Sequence, residues 1–539
     1  LNWFPLKNLT HYSLLKGFSK PEELATKCKE NAYPACGLCD YKTISGAVAF
    51  YQACKSSGIK PIIGCSFDGY ILFAKNKNGW HDLIELVSSI DSDGSLSNDI
   101  LNKVLKGNNL IKLSDTPTSS MPISYYTKQS DAIYHRILLC SEMKTTLPKI
   151  HKQIRKDKNN SINVDSSFPK EHYDKLNYFL SDKFYVLNNE ESKDLDTKQL
   201  EEIYSQCEDY NILNKPMLPK FDCPRGLSEE DYLKELCRVG WKKLLIQTGK
   251  VKDPDKKKLY ADRFNEELNV IKDANLFGYF LIVQDIISYV NKQGWLSGPG
   301  RGSAAGCLIS YLIGITQIDP IEYDLLFARF YNAGRNTADH VSLPDIDMDV
   351  PGKRRDEVIA YLKNKYGHEH VSQMITFGRL QGRSAIKEVL RVHEACSFTE
   401  MNAITKNVPN EAEISDQLAD MEDEDRSIIR WALINRPQEL QDFCSINENG
   451  ELEGQYAEYF KQAIEIEGTF KTQGKHAAGV VISAKPLQQV CPMSRQRDSD
   501  EKIAGLEMAD LEALGHVKFD VLGLSLLDKI MYIKEIING

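Results

Sequence analysis

Apolar residues recur along this chain with two different periods, and each change of period marks an element. Over 20–31 (KPEELATKCKEN) they return every three or four positions, which predicts a helix. PACGLCDY reads as a short buried strand, SGAVAFYQACKSSG as a second helix and KPIIGCSF as a second strand. This β/α rhythm predicts an α/β domain with largely parallel pairing. Residues 141–183 are polar and lysine-rich and read as solvated helix and loop. NKPMLPKFDCPRG (214–226) holds three prolines and little periodicity, which places a domain boundary there. Long helical patterns follow, and the apolar run 277–290 reads as a buried helix because Gln284 and Asp285 interrupt it. From about 298 glycine loops and short strands take over, 377–475 return to charge-rich helix, and the tail from His476 is strand-rich.

Composition narrows the class. At roughly 100–200 residues per domain, 539 residues predict three or four domains. A hydrophobic fraction of 42% beside 27% charged residues is an ordinary globular balance. The net charge of -9 argues against binding nucleic acid over the whole surface, but leaves room for a local basic channel. Thirteen cysteines scattered through a long chain read as free thiols in a reducing cytosol. Cys36 and Cys39 read as core or turn residues, since no second C-x-x-C completes a zinc site. No apolar run reaches 18 residues, so no membrane span is expected. The chain does not begin with Met, and its first residues hold no signal-peptide core.

The sharpest chemical signal is LPDIDMDV (343–350). In a strand, its period of two puts Asp345, Asp347 and Asp349 on one face. Stacked carboxylates repel, and a divalent cation with hard oxygen ligands relieves them. An exposed acidic strand stays open as the alternative; a calcium loop fails because Val350 stands where glycine is needed. Upstream, SGPGRGSAAG (297–306) offers four glycines, Arg301 and Ser303, followed by a small-residue helix start that would serve as a phosphate site. Downstream, HVKFDVLG (516–523) puts Val517, Phe519 and Val521 on one face and Lys518 and Asp520 on the other. A Gly-Ser turn, then Asp-x-Asp, then a later single Asp is the order found in polymerase-beta-type nucleotidyltransferases. There two Mg²⁺ ions bracket a 3′-hydroxyl and a leaving pyrophosphate.

GPGRGSAAGCLISYLIGITQIDPIEYDLLFARF followed by VSLPDIDMD closely resembles the palm of bacterial DNA polymerase III alpha subunits, the family C replicases. VSQMITFGRL, GKHAAGVVIS and HVKFDVLGL do so too, and the similarity runs in order over nearly the whole chain. The resemblance implies a PHP-like α/β barrel at 1–215, palm at 216–376 and 476–525, a helical thumb inserted at 377–475, and the start of fingers at 526–539. It implies Asp345, Asp347 and Asp520 as catalytic ligands of two Mg²⁺ ions, with Asp349 outside the catalytic set. It implies Gly302 and Ser303 on nucleotide phosphates, Arg301, Arg329 and Lys518 on the nucleotide or primer end, and Lys475 and His476 close by. The implied partners are primer-template DNA and deoxynucleoside triphosphates. A second chain would supply the fingers if these are encoded apart. A sliding clamp would be reached only through C-terminal regions that this sequence does not hold, and no membrane is implied. The implied setting is the cytoplasm of a bacterial cell, or of an infected one.

The PHP-like segment departs from the family's metal pattern. In FPLKNLTHYS, Pro5, Lys7 and Leu9 stand where histidines are expected, His11 where an acid is usual, and Asp40 is followed by Tyr41. No metal and no phosphoesterase activity are expected there, leaving a scaffolding role. Arg379, Arg383, Lys387 and Arg391 recur at helical spacing and read either as a stripe for backbone phosphates or as a solvated face. Two functions follow: a catalytic-core portion of a template-directed polymerase that needs fingers to extend primers well, or a non-catalytic assembly or DNA-binding module.

Overall fold

In the computed structural model, residues 2–156, 162–332, 334, 343–422, 425–496 and 499–538 are described; residues 157–161, inside the lysine-rich 141–183 segment, and the start of VSLPDIDMD lie outside them. The chain forms two compact units, each from two segments: Leu1–Asn211 with Phe377–Gly474, and Ile212–Thr376 with Lys475–Gly539.

In the first unit the predicted β/α rhythm is present. The helix Pro21–Glu30 starts on a proline, holds Glu22 and Glu23 in its first turn and ends on Lys27 and Lys29. Each of these favours that end of a helix. The strand Ala35–Leu38 lies parallel to Lys60–Phe67 across the helix Ala47–Ser56. The pairing then reverses. Lys60–Phe67 turns through Asp68 and Gly69 into Tyr70–Ala74, which pairs antiparallel on both sides, the second time with Leu110–Ser114. The expectation of largely parallel pairing is therefore corrected. Asp-Gly is a two-residue hairpin signal, and Gly69 supplies the positive φ of 89° that this turn needs. Lys7–Asn8 pairs parallel with Ile123–Ser124. Among the described residues these strands form a two-stranded and a four-stranded ladder, and the N–H groups of Gly37 and Cys39 also donate to the Pro5 and Asn8 carbonyls.

The second segment of this unit is helical, with Arg383–His393, Phe398–Thr405, Ile428–Asn435 and Ala457–Ile466. One apolar core joins the segments, with Phe18, Leu138 and Ile150 packed among Leu390, Ile404 and Phe460. Glu388 ties them by charge: its carboxylate meets Ser141, Arg391 and Lys471.

The second unit is built on a six-stranded mixed sheet. Its order is Met493–Arg495, Lys502–Ala504, Val371–Arg379, Phe470–Ile482, Val517–Leu524, Asp347–Pro351. Val517–Leu524 pairs antiparallel with Phe470–Ile482 and parallel with Asp347–Pro351. The helix Phe277–Lys292 is buried from Phe277 to Val283 and at Ile286, Ile287 and Val290, as its apolar run predicts. Helix Glu229–Gly240 packs on Leu308–Leu312 so closely that a Cβ on Gly240 would lie 1.8 Å from the Leu312 carbonyl oxygen. Gly240→Ala should therefore lower the denaturation midpoint, with a cost of about 2 kcal/mol in a urea titration. An unchanged midpoint would contradict this packing. No described helix is long and apolar enough to cross a membrane.

Candidate active site

The edge pairing of the second unit decides which acids meet. Asp520 stands opposite Asp347 in the parallel ladder, so two carboxylates from segments far apart in sequence face one another. Asp345 lies just before the strand Asp347–Pro351. Ligand oxygens of Asp345, Asp347 and Asp520 all lie within 4.8 Å of one another, in the one group of three potential metal ligands among the described residues. Val517, Phe519 and Val521 face the core, as the alternation predicts. Phe519 stacks on Tyr279 from the buried helix, with ring centroids 5.4 Å apart. The Tyr279 phenol is bonded to the Ile346 backbone, between the two acids of Asp-x-Asp. Burial and then the Asp345 carboxylate push its pKa up, keeping it neutral. Nothing in the sequence marks this tyrosine, because it sits inside an apolar helix pattern.

The cluster is electrostatically incomplete. Burial first, and then Asp345 and Asp520, raise the pKa of Asp347. Lys518 places its ammonium 2.6 Å from Asp520 Oδ2 and 3.7 Å from Asp345 Oδ1. Burial would lower the Lys518 pKa, but these carboxylates raise it. Asp520 Oδ1 is buried and has no hydrogen-bond partner. An unpartnered buried carboxylate oxygen costs free energy unless something satisfies it. The all-oxygen donor set and this orphaned atom fit a hard divalent cation.

Asp349 does not join the cluster, contrary to the simple alternation. It is buried and held by the Arg301 fork, with Nε 3.1 Å from Oδ2 and the terminal nitrogen 2.7 Å from Oδ1. Its carbonyl accepts from Gly298 N–H, and a Cβ on Gly298 would come within 2.6 Å of the Asp349 Cβ. Asp349→Asn should leave Mn²⁺ affinity within about threefold of the parent by EPR titration, since a pairing partner rather than a ligand is changed. A tenfold loss would place Asp349 among the ligands.

The glycine loop also differs from its reading. Gly300 and Gly302 take positive φ values of 114° and 56°, which side chains disfavour. Gly302–Gly306 is a short 3₁₀ turn with Ser303 exposed. The expected phosphate site at the start of an apolar helix is not formed. The helix begins only at Leu308, and its first N–H groups, of Leu308 and Ile309, are already taken by the Glu267 carboxylate. Any phosphate contact falls to the turn itself. Arg329 is exposed on the short helix Phe327–Phe330, which packs against this turn. Lys475 is exposed. His476 Nδ1 accepts from Ala478 N–H (3.2 Å) and Gly479 N–H (2.9 Å), and Gly479 is the register partner of Asp520.

In the first unit Arg383, Lys387 and Arg391 share the helix Arg383–His393, and Arg379 falls outside it. Arg379 ends a strand, with its guanidinium over the Phe470 ring, and the helix begins only at Arg383. Arg383 donates to the Val408 and Lys406 carbonyls, Lys387 to Asn402, and Arg391 to Glu388 and the Thr145 carbonyl. Of the residues at the expected PHP metal positions, Lys7, His11 and Asp40 have internal partners. Lys7 is buried, and its ammonium donates to the Ser114 and Thr116 carbonyls, 2.9 Å each. Asp40 accepts from Thr10 N–H, Thr10 Oγ1 and Ser13 Oγ, all at 2.7 Å, while burial raises its pKa. The His11 ring stacks on Phe470, and burial pushes its pKa down to about 3. Cys36 and Cys39 are buried free thiols.

The family model described as "Bacterial DNA polymerase III alpha NTPase domain" matches residues 231–523, more than half of the chain, and spans the whole acidic cluster. The chain belongs to the bacterial DNA polymerase III alpha family. A PHP domain model matches residues 5–158. DNA polymerase III subunit alpha of Bacillus subtilis (strain 168) is 32% identical over 98% of this chain and 49% of its own length. The subunit of Aquifex aeolicus (strain VF5) is 28% identical over 98% and 52%. That of Pseudomonas aeruginosa is 29% identical over 98% and 48%. The chain thus spans about half the length of these polymerase III alpha relatives.

Proposed function

We propose that this chain is a catalytic-core portion of a template-directed DNA polymerase, transferring nucleotidyl groups to a primer 3′-hydroxyl with Mg²⁺. The observation that carries the reading is the convergence of Asp345, just before one strand, Asp347 on it and Asp520 on its neighbour, within 4.8 Å, with Asp520 Oδ1 orphaned. These three residues would hold the metal. When bound, the cation supplies charge neutralisation and activates a hydroxyl as nucleophile. Tyr279 and Phe519 brace the acid-bearing backbone. Lys518 neutralises Asp520 and Asp345 and stands ready to meet triphosphate. Gly302 and Ser303 take phosphate oxygens, while Arg301, Arg329, Lys475 and His476 line the nucleotide and primer end. The unit-two segments 216–376 and 476–525 act as palm, of the polymerase-beta type, 377–475 as thumb and 526–539 as the start of fingers. Residues 1–215 act as a scaffold without metal, because Lys7 and Asp40 already use the relevant atoms internally. Primer-template and deoxynucleoside triphosphates are the ligands, and the bacterial cytoplasm the setting.

Primer extension is the test, by this chain alone and mixed with the second half of the Bacillus subtilis subunit. Templated, Mg²⁺-dependent incorporation in either arm supports the reading. No incorporation in either arm, with primer-template bound but neither metal nor nucleotide, is what a non-catalytic module gives, and it overturns the proposal.

A further inference from the structure

The Gly302–Gly306 turn has little of its own to fix its shape: two glycines at positive φ precede or open it, and Ser303 is exposed. Glycine-rich backbone is conformationally permissive, so a defined geometry must be imposed by neighbours. The neighbour is the helix Pro254–Asp273. Its Glu267 is fully buried, and the two carboxylate oxygens accept from Leu308 N–H and Ile309 N–H, 2.9 Å each. One turn earlier, Arg263 donates from Nε to Glu267 Oε1 at 2.7 Å. Its terminal nitrogen reaches the Gly306 carbonyl at 2.7 Å and the Leu325 carbonyl at 2.9 Å. Gly306 closes the turn that carries Ser303. Leu325 leads into the helix Phe327–Phe330 that carries Arg329.

We propose that Arg263 and Glu267 are positioning residues that clamp the Ser303 turn and the Arg329 helix into one rigid cradle for nucleotide phosphates; this rests on the nucleotide reading above. Stability alone does not account for the pair. A buried ion pair often contributes no more than apolar residues of the same volume. What apolar residues lack is direction. Here the pair makes four bonds to backbone atoms of three consecutive segments: Gly306, Leu308 with Ile309, and Leu325. The planar guanidinium serves a carboxylate and two carbonyls at once, which an ammonium at the same position cannot match. Neither residue meets the Asp345, Asp347, Asp520 cluster, so metal binding and cradle geometry are separable.

The experiment compares the whole chain with Arg263→Met and Arg263→Lys by three readouts: Mn²⁺ affinity, amide hydrogen exchange over 302–309, and dATP affinity. In R263M, exchange over 302–309 should rise about tenfold and dATP affinity should fall about tenfold, while Mn²⁺ affinity stays unchanged. R263K should recover part of both. A purely structural role would instead raise exchange across the whole chain and lower Mn²⁺ and dATP affinity together with the folded fraction, and that result overturns the proposal. So does unchanged exchange in R263M. If R263M does not fold, R263K decides: parental exchange and dATP affinity in that variant overturn the guanidinium clamp, and intermediate values support it. A parent chain that binds no dATP, while R263M still exchanges faster, sinks the nucleotide reading and not the clamp.

Discussion

Asp345→Asn with Asp347→Asn is expected to remove Mn²⁺ binding and to reduce nucleotidyl transfer by roughly a thousandfold or more. Asparagine keeps the shape of each side chain but removes two of the three negative charges that draw the cation. Asp520 alone would then face Lys518, whose ammonium already lies 2.6 Å from it, and the remaining pair is internally neutral. The fold should survive. Asp345 lies before the strand and Asp347 is only partly buried, so neither carboxylate anchors the sheet. Relief of the mutual repulsion that raises the Asp347 pKa works in the same direction, towards equal or greater stability. Mn²⁺ titration by EPR on the chain gives the first number, and primer extension with the second half of a relative gives the other. Parental metal affinity in the double variant would remove the basis for the proposed chemistry.

The second large effect lies in the first unit. Glu388→Ala should destabilise it by about 2–3 kcal/mol, because a buried carboxylate that satisfies two cations and a hydroxyl is deleted. Arg391 and Lys471 are each more than a third exposed and regain some hydration, which keeps the loss below that of a fully buried pair. The same group gives an acid-dependent signature. Burial would raise the Glu388 pKa, but Arg391, Lys471 and Ser141 hold it down to about 2, against an ordinary value of 4.5. A depressed carboxylate contributes its stability above the unfolded pKa and loses it as pH falls through the folded one. The difference between the parent chain and Glu388→Gln should therefore be full at pH 7 and shrink between about pH 4.5 and pH 2. A difference independent of pH in denaturant titrations would show that the charge is not what matters.

What the sequence makes legible follows from the range of each signal. The Asp-x-Asp alternation and the Lys518, Asp520 face are local, and each is present in its strand. That the two strands are neighbours is not local, and only the order of the motifs and the family resemblance pointed to it. Asp349 escaped the alternation rule because Arg301 claims it, and a period of two carries no information about a partner 48 positions away. Arg379 fell out of the basic stripe for the opposite reason. Spacing of four from Arg379 to Arg391 is compatible with one helix, but a strand end and the turn through Gly382 intervene. The reversed pairing in the first unit was readable after all, since Asp68-Gly69 between two apolar runs is a hairpin signal. Glu267 and Tyr279 were not readable, because an acid on an amphipathic helix and an aromatic in an apolar one are unremarkable until their partners are known.

Anomalous diffraction from crystals of this chain soaked in Mn²⁺ addresses the central claim most directly. The expected result is manganese about 2.1 Å from an oxygen of Asp345, Asp347 and Asp520, with the Lys518 ammonium withdrawn from Asp520. Manganese on Asp349 or elsewhere, with Lys518 still bound to Asp520, would contradict it.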